Sequence, residues 1–220
     1  VMSGGTVAGK NDAFHMDWAI QGGKLAILDV DALGHGDATL AAGATLELKG
    51  SRASGTFVNT LSGAGALAII EGADVELDGQ NLLTGGLTVD ADSRVKASGN
   101  IYSHIGSGLI ALAGDAEFTL TSGTGTLDWT WDRTVSGAGS LTLAREDENE
   151  QELRFTEESI SDFSGGLTLD NWTIKLVEDE ANGTLATLSG SDITSITFRS
   201  GANAVVNGVA DLGSKNIVLA

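Results

Sequence analysis

The sequence predicts an all-β chain wound as a right-handed parallel β-helix. Three observations carry that expectation: short runs with a period of two, a chain without proline, and glycine-rich blocks that recur in the same order. A run in which every second residue is apolar is a strand with one dry face and one wet face. None of the 220 residues is proline. Each interior strand of a coiled sheet needs its amide hydrogen for the neighbouring coil, so the ladder has no place for proline. Glycine, 31 residues of 220 and roughly twice ordinary usage, serves the sharp corners between strands.

Taken in chain order, Phe14 and Trp18 stand four apart and suggest a single helical turn. No other helical stripe follows. Ala44 to Lys49 places Ala44, Leu46 and Leu48 on one face, with Glu47 and Lys49 on the other. Asp74 to Asp78 repeats the pattern, as do Leu87 to Val89, Glu117 to Leu120 and Leu141 to Leu143. Leu167 to Leu169, Thr173 to Leu176, Ile196 to Phe198 and Ile217 to Leu219 continue it. Gly, Asn, Asp and Ser punctuate the intervals.

The recurring blocks select among all-β folds. Ser62-Gly-Ala-Gly-Ala-Leu67 returns as Ser136-Gly-Ala-Gly-Ser-Leu141. Downstream of each lies a second match, Thr84-Gly-Gly-Leu-Thr-Val89 and Ser164-Gly-Gly-Leu-Thr-Leu169, with a weaker copy at Gly22-Gly-Lys-Leu25. Asp31 to Leu40 also parallels Ala210 to Leu219. Repeats with variable spacing suit stacked coils whose loops accept insertions. At roughly 20 residues per coil, the chain would make about ten coils and a rod about 50 Å long. A β-sandwich is the alternative; it accounts for the alternation but not for the recurring blocks.

Composition closes other routes. Without cysteine there is no disulfide, iron–sulfur site or thiol nucleophile. With 12 Lys+Arg against 30 Asp+Glu, the formal charge of −18 repels phosphate, so no nucleic-acid partner is expected. A hydrophobic content of 41% is enough for a core. No apolar run is long enough to cross a membrane as a helix. Val1 to Lys10 lacks a secretory pattern, and the chain stops at Ala220 after a strand-like run, which points to a piece of a longer protein.

The block order Ser-Gly-Ala-Gly-x-Leu, alternating strand, x-Gly-Gly-Leu-Thr-Val/Leu resembles the passenger-associated transport repeat of Gram-negative autotransporters. Asp31 to Gly36, followed by Ala42 to Leu48, is similar to the segment that usually follows such a repeat. The resemblance implies one β-helical passenger segment over residues 1–220, exported through periplasm and outer membrane to the bacterial surface by a C-terminal β-barrel that is not in this chain. The role it implies is adhesion or self-association. The expected partners are host surface or matrix molecules, or like passengers on neighbouring cells. A second implied role is autochaperone-like, with the segment promoting folding and secretion of the passenger. The Arg145 to Glu158 stretch departs from the family pattern. It carries seven acidic and two basic residues and is expected to be a solvated insertion.

Chemistry is harder to find. No nucleophile elbow, P-loop or three-glycine dinucleotide fingerprint occurs. His15, His35 and His104 lack metal-ligand spacing. The pairs Asp29/Asp31 and Asp90/Asp92 are spaced for one strand face, as acid–base catalysis requires. However, Asp90 and Asp170 hold matching places in the repeat, which marks a turn-former. A calcium loop starting at Asp29 fails at Leu33 and Leu40, leaving only weak surface binding. The expectation is a non-enzyme without metal or cofactor. A polysaccharide-cleaving enzyme is the remaining alternative, and it would need an acidic or basic cluster unrelated to the repeat. The most distinctive run is Leu127 to Asp132. Trp129 and Trp131 share one strand face, with Asp128 and Asp132 on the other. Pointing outward, the indoles would form a stacking platform for a sugar or protein; pointing inward, they fill the core, and general burial habits favour the core.

Overall fold

The computed structural model describes residues 2–99, 101–122, 129–146, 152–155, 159–160, 162–176, 193–199, 201–206 and 216–220. Strand follows strand around three sides of a β-solenoid of about seven turns.

The first side is an eight-stranded sheet of β1 (Gly5–Val7), β3 (Gly23–Ile27), β5 (Ala44–Lys49), β8 (Ala66–Ile70), β11 (Leu87–Val89), β13 (Ile110–Leu112), β16 (Val135–Gly137) and β19 (Asp162–Phe163). The second side is another eight-stranded sheet of β6 (Gly55–Phe57), β9 (Asp74–Leu77), β12 (Arg94–Gly99), β14 (Glu117–Ser122), β17 (Ser140–Arg145), β20 (Gly166–Asp170), β22 (Ser195–Arg199) and β24 (Asn216–Leu219). The third side is divided. Its early part is β2 (Trp18–Ile20), β4 (Ala38–Leu40), β7 (Leu61–Gly63) and β10 (Asn81–Leu83). One short helix, α1 (Ile101–His104), takes the place of a strand there. The late part is β15 (Trp129–Trp131), β18 (Glu152–Phe155), β21 (Thr173–Leu176) and β23 (Asn203–Val206). Every described strand pair is parallel, as winding in one sense requires and an antiparallel sandwich does not allow.

The turn count falls short of ten because the coils lengthen. Val75 pairs with Val95, twenty residues on. Leu141 pairs with Leu167, 26 on, and Leu167 with Ile196, 29 on. At the usual strand spacing, seven turns make a rod about 34 Å long.

Alternation turns every second side chain into the interior, where it stacks on its register partner. One inward column of the first side runs Leu25, Leu46, Leu67, Leu87, Ile110, Val135. One on the second runs Val75, Val95, Phe118, Leu141, Leu167, Ile196. All of these residues are buried. Each contributes about 1.5–3 kcal/mol relative to an exposed side chain.

The recurring blocks are corners. Gly63 has φ 109° and Gly137 φ 94°. A Cβ at Gly63 would meet Leu40 O at 2.2 Å, and one at Gly137 would meet Leu112 O at 2.1 Å. Only glycine lets the bending chain pass this close to the coil beneath it. The two copies occupy different corners. Ser62 to Gly65 joins the third side to the first, between β7 and β8, whereas Ser136 to Gly139 joins the first to the second, between β16 and β17.

Two local expectations are corrected. Phe14 and Trp18 do pack, with centroids 5.1 Å apart, but Phe14 lies in a loop and Trp18 opens β2, so there is no helical turn. The Trp18 indole instead donates to Leu33 O at 2.8 Å. The acidic stretch is not a simple solvated insertion. Arg145 is buried, with its guanidinium carbon 4.8 Å from the Trp172 ring centroid, and Glu152–Phe155 is a strand paired between β15 and β21. Burying the cation against an indole face compensates part of its desolvation. Residues 147–151, 156–158 and 211–215 lie outside the described residues.

Candidate functional site

The outer face of the second side carries the most organised polar surface. Its central column reads Thr56, Glu76, Lys96, Thr119, Thr142, Thr168, Thr197, Val218, one residue per coil. Four successive threonines follow from the Leu-Thr-Leu rhythm: the leucines and their equivalents are drawn inward, and the residue between them faces water. Cross-strand threonine pairs of this kind also stabilise the sheet.

At the early end of the column, β6, β9 and β12 frame a shallow groove of about 290 Å³ lined by Ser54, Gly55, Asp74, Glu76 and Lys96. Ser54 is structural. Its hydroxyl donates to Ser51 O at 2.9 Å and accepts from the Asp74 amide at 3.2 Å, which fixes the start of β9. Glu76 accepts a long hydrogen bond, 3.4 Å, from the Thr56 hydroxyl. Among the described residues, the half-buried Asp74 carboxylate has no hydrogen-bond partner, and Lys96 closes no ion pair although Glu76 is its register partner.

Four cations of the same coils are paired, whereas Arg52 next to the groove is not. Lys24 pairs with Glu47 at 2.7 Å, Lys49 with Glu71 at 2.8 Å, and Lys10 with Asp31. Arg94 holds Glu117 through two hydrogen bonds of 3.0 and 3.3 Å. Hydrogen bonds to the partner carboxylates, reinforced by their charge, raise the Lys10 and Lys49 pKa values above the ordinary 10.5. The groove thus keeps an acceptor and a donor unspent beside one another.

The residues singled out in the sequence do not assemble into a site. Trp131 is fully buried, and its indole donates to Arg133 O at 2.6 Å, so it is a core side chain rather than a platform. Trp129 lies in β15 in register with Leu153, but its side chain, like Asp128, is outside the described residues. Asp132 is exposed, 3.7 Å from Arg133 Nε. His15 and His35 stack at 4.8 Å on neighbouring coils, whereas His104 stands on α1 with Nδ1 3.2 Å from Gly79 O. Among the described residues, no group of three His, Cys, Asp or Glu is arranged to hold a metal ion. Asp29 accepts from the Asp31 amide at 3.1 Å, and Asp31 is held by Lys10, so the chain itself engages both carboxylates. Asp90 caps its own turn by accepting from the Ala91 amide at 2.9 Å, while Asp170 sits within β20 with Oδ1 buried and unpartnered.

The groove residues escaped sequence reading because they are twenty apart: Ser54 and Asp74, and Thr56, Glu76 and Lys96. A coil length of twenty stacks them. The strand step from Val75 to Val95 was the signal that would have located them.

The fold and this face define the chain as a β-solenoid with a polar, in-register flank. Compared with known proteins, it matches no family model, no curated protein and no solved structure.

Proposed function

We propose that the chain is a segment of a Gram-negative autotransporter passenger and works as a rigid rod in surface adhesion or bacterial self-association. The carrying observation is the second side: eight parallel strands in register, with a polar outer column that advances one residue per coil. Such a face makes many weak contacts at once, and their joint strength exceeds that of any single contact. The order of the Ser-Gly-Ala-Gly and Gly-Gly-Leu-Thr blocks supports the passenger reading. The charge of −18 keeps the rod soluble, and contacts between like rods weaken as salt is lowered.

The test is deletion of this segment from the full reading frame, followed by cell-aggregation and host-cell binding assays. The expected result is loss of aggregation or binding with surface display unchanged. Aggregation and binding that both persist after the deletion would sink the reading.

A further inference from the structure

We infer that the groove over β6, β9 and β12 is a binding site for an uncharged, linear oligosaccharide, which continues from it along the threonine column of the second side. The inference rests on the adhesion reading and names its ligand class. Among the described residues, Asp74 offers a carboxylate with no partner, Glu76 one that accepts only the long bond from Thr56, and Lys96 an unpaired ammonium, all lining one concavity. Elsewhere among the described residues, Lys10, Lys24, Lys49 and Arg94 are each held by an acid, whereas exposed Arg52 and Arg199 are unpaired but line no groove with unpaired acids.

A ligand that matches this set must donate to carboxylates and accept from an ammonium within a few ångströms. The hydroxyls of a sugar ring do both. The field of a chain with charge −18 works against phosphates and uronates. A cationic peptide would pair with Asp74 and Glu76 but would face the like charge of Lys96 in the same groove. An uncharged saccharide remains as the occupant that the charges favour.

The direction of the ligand follows from register. Thr119 is the Cα partner of Lys96, and Thr142, Thr168 and Thr197 succeed it. Beyond the groove, the column therefore presents one hydroxyl and one methyl per coil and no charge. A chain molecule with alternating hydroxyl and C–H surfaces can follow it parallel to the rod axis.

The experiment is calorimetric titration of the purified chain at physiological salt. The panel comprises neutral gluco-, manno-, xylo- and N-acetylglucosamine oligosaccharides, with oligogalacturonate and hyaluronan fragments as the acidic arm. Saturable binding of at least one neutral oligosaccharide is expected. Asp74→Asn and Lys96→Ala should each weaken it about tenfold, with circular dichroism and the urea midpoint unchanged. The double variant Thr142→Val/Thr168→Val should weaken a hexasaccharide but not a disaccharide. No binding to any neutral sugar, tighter binding of the acidic arm, or affinity indifferent to the groove variants overturns the inference. Beads coated with the chain separate the two readings. Beads that still cluster or hold cells without binding glycan sink the saccharide site and leave adhesion standing. Glycan binding without adhesion does the reverse.

Discussion

The solenoid before α1 and the solenoid after it share the two eight-stranded sheets but differ in the spacing of register partners and in the size of the side chains they bury. In the early half most register partners lie 20 or 21 residues apart, with a step of 23 between β4 and β7, and the interior is filled with Leu, Ile, Val and Ala, with Phe57 as the largest fully buried side chain. In the late half the steps range from 21 to 30 residues, and Phe118, Trp131, Phe163, Trp172 and Phe198 are all buried. Close packing in the late half is thus achieved with aromatic rings, where the early half uses aliphatic side chains. The change of core composition goes with a change of corner. Ser-Gly-Ala-Gly turns the third side into the first in the early half, and the first into the second in the late half. The block therefore encodes a kind of bend, independent of position around the coil. The third side bears the discontinuity, since α1 separates its two four-stranded sheets.

Truncations inside the two halves should show the largest effects. Trp131→Ala removes a fully buried indole from the late core and is expected to cost about 4–5 kcal/mol. Leu67→Ala in the aliphatic early core should cost about 3 kcal/mol. Urea unfolding of both variants checks this, and a greater loss at Leu67 would break the contrast between the aromatic and the aliphatic core. The corners come next. Gly63→Ala and Gly137→Ala both place a Cβ against a carbonyl at positive φ, and each should lose roughly 2–3 kcal/mol. Unfolding curves that separate the two by more than about 1 kcal/mol would show that the copies are not the same bend. The smallest effect is electrostatic. Lys10 and Lys49 have raised pKa values in the folded chain. Their pairs therefore stabilise fully below the ordinary lysine value of 10.5 and let go as pH rises above it. Lys10 is exposed and Lys49 half-exposed, so solvent screens both pairs and the urea midpoint should fall only slightly through that range. Both partner acids lie in the early half, so Lys10→Gln/Lys49→Gln should remove this pH dependence without touching the late coils.

Alternation, zero proline and the glycine blocks made the β-solenoid legible, because a strand's dry face and a tight corner are properties of a few consecutive residues. Leu46, Leu67 and Leu141 could be assigned to the interior from their neighbours alone. The coil count could not, because loops lengthen without disturbing the local pattern, and the step from Leu167 to Ile196 looks no different in sequence from the step from Val75 to Val95. Trp131 was legible only as one of two placements, and burial decided it. The groove of Asp74, Glu76 and Lys96 was invisible, since its members are twenty residues apart and ordinary one by one.

The order of residues by itself determined that this chain forms short parallel-stacked strands with glycine corners, because those choices are settled over distances of a few residues. Tertiary structure alone decided which side chains stand above one another. Vertical neighbours are set by the length of each intervening coil, and that length depends on how the whole cross-section packs.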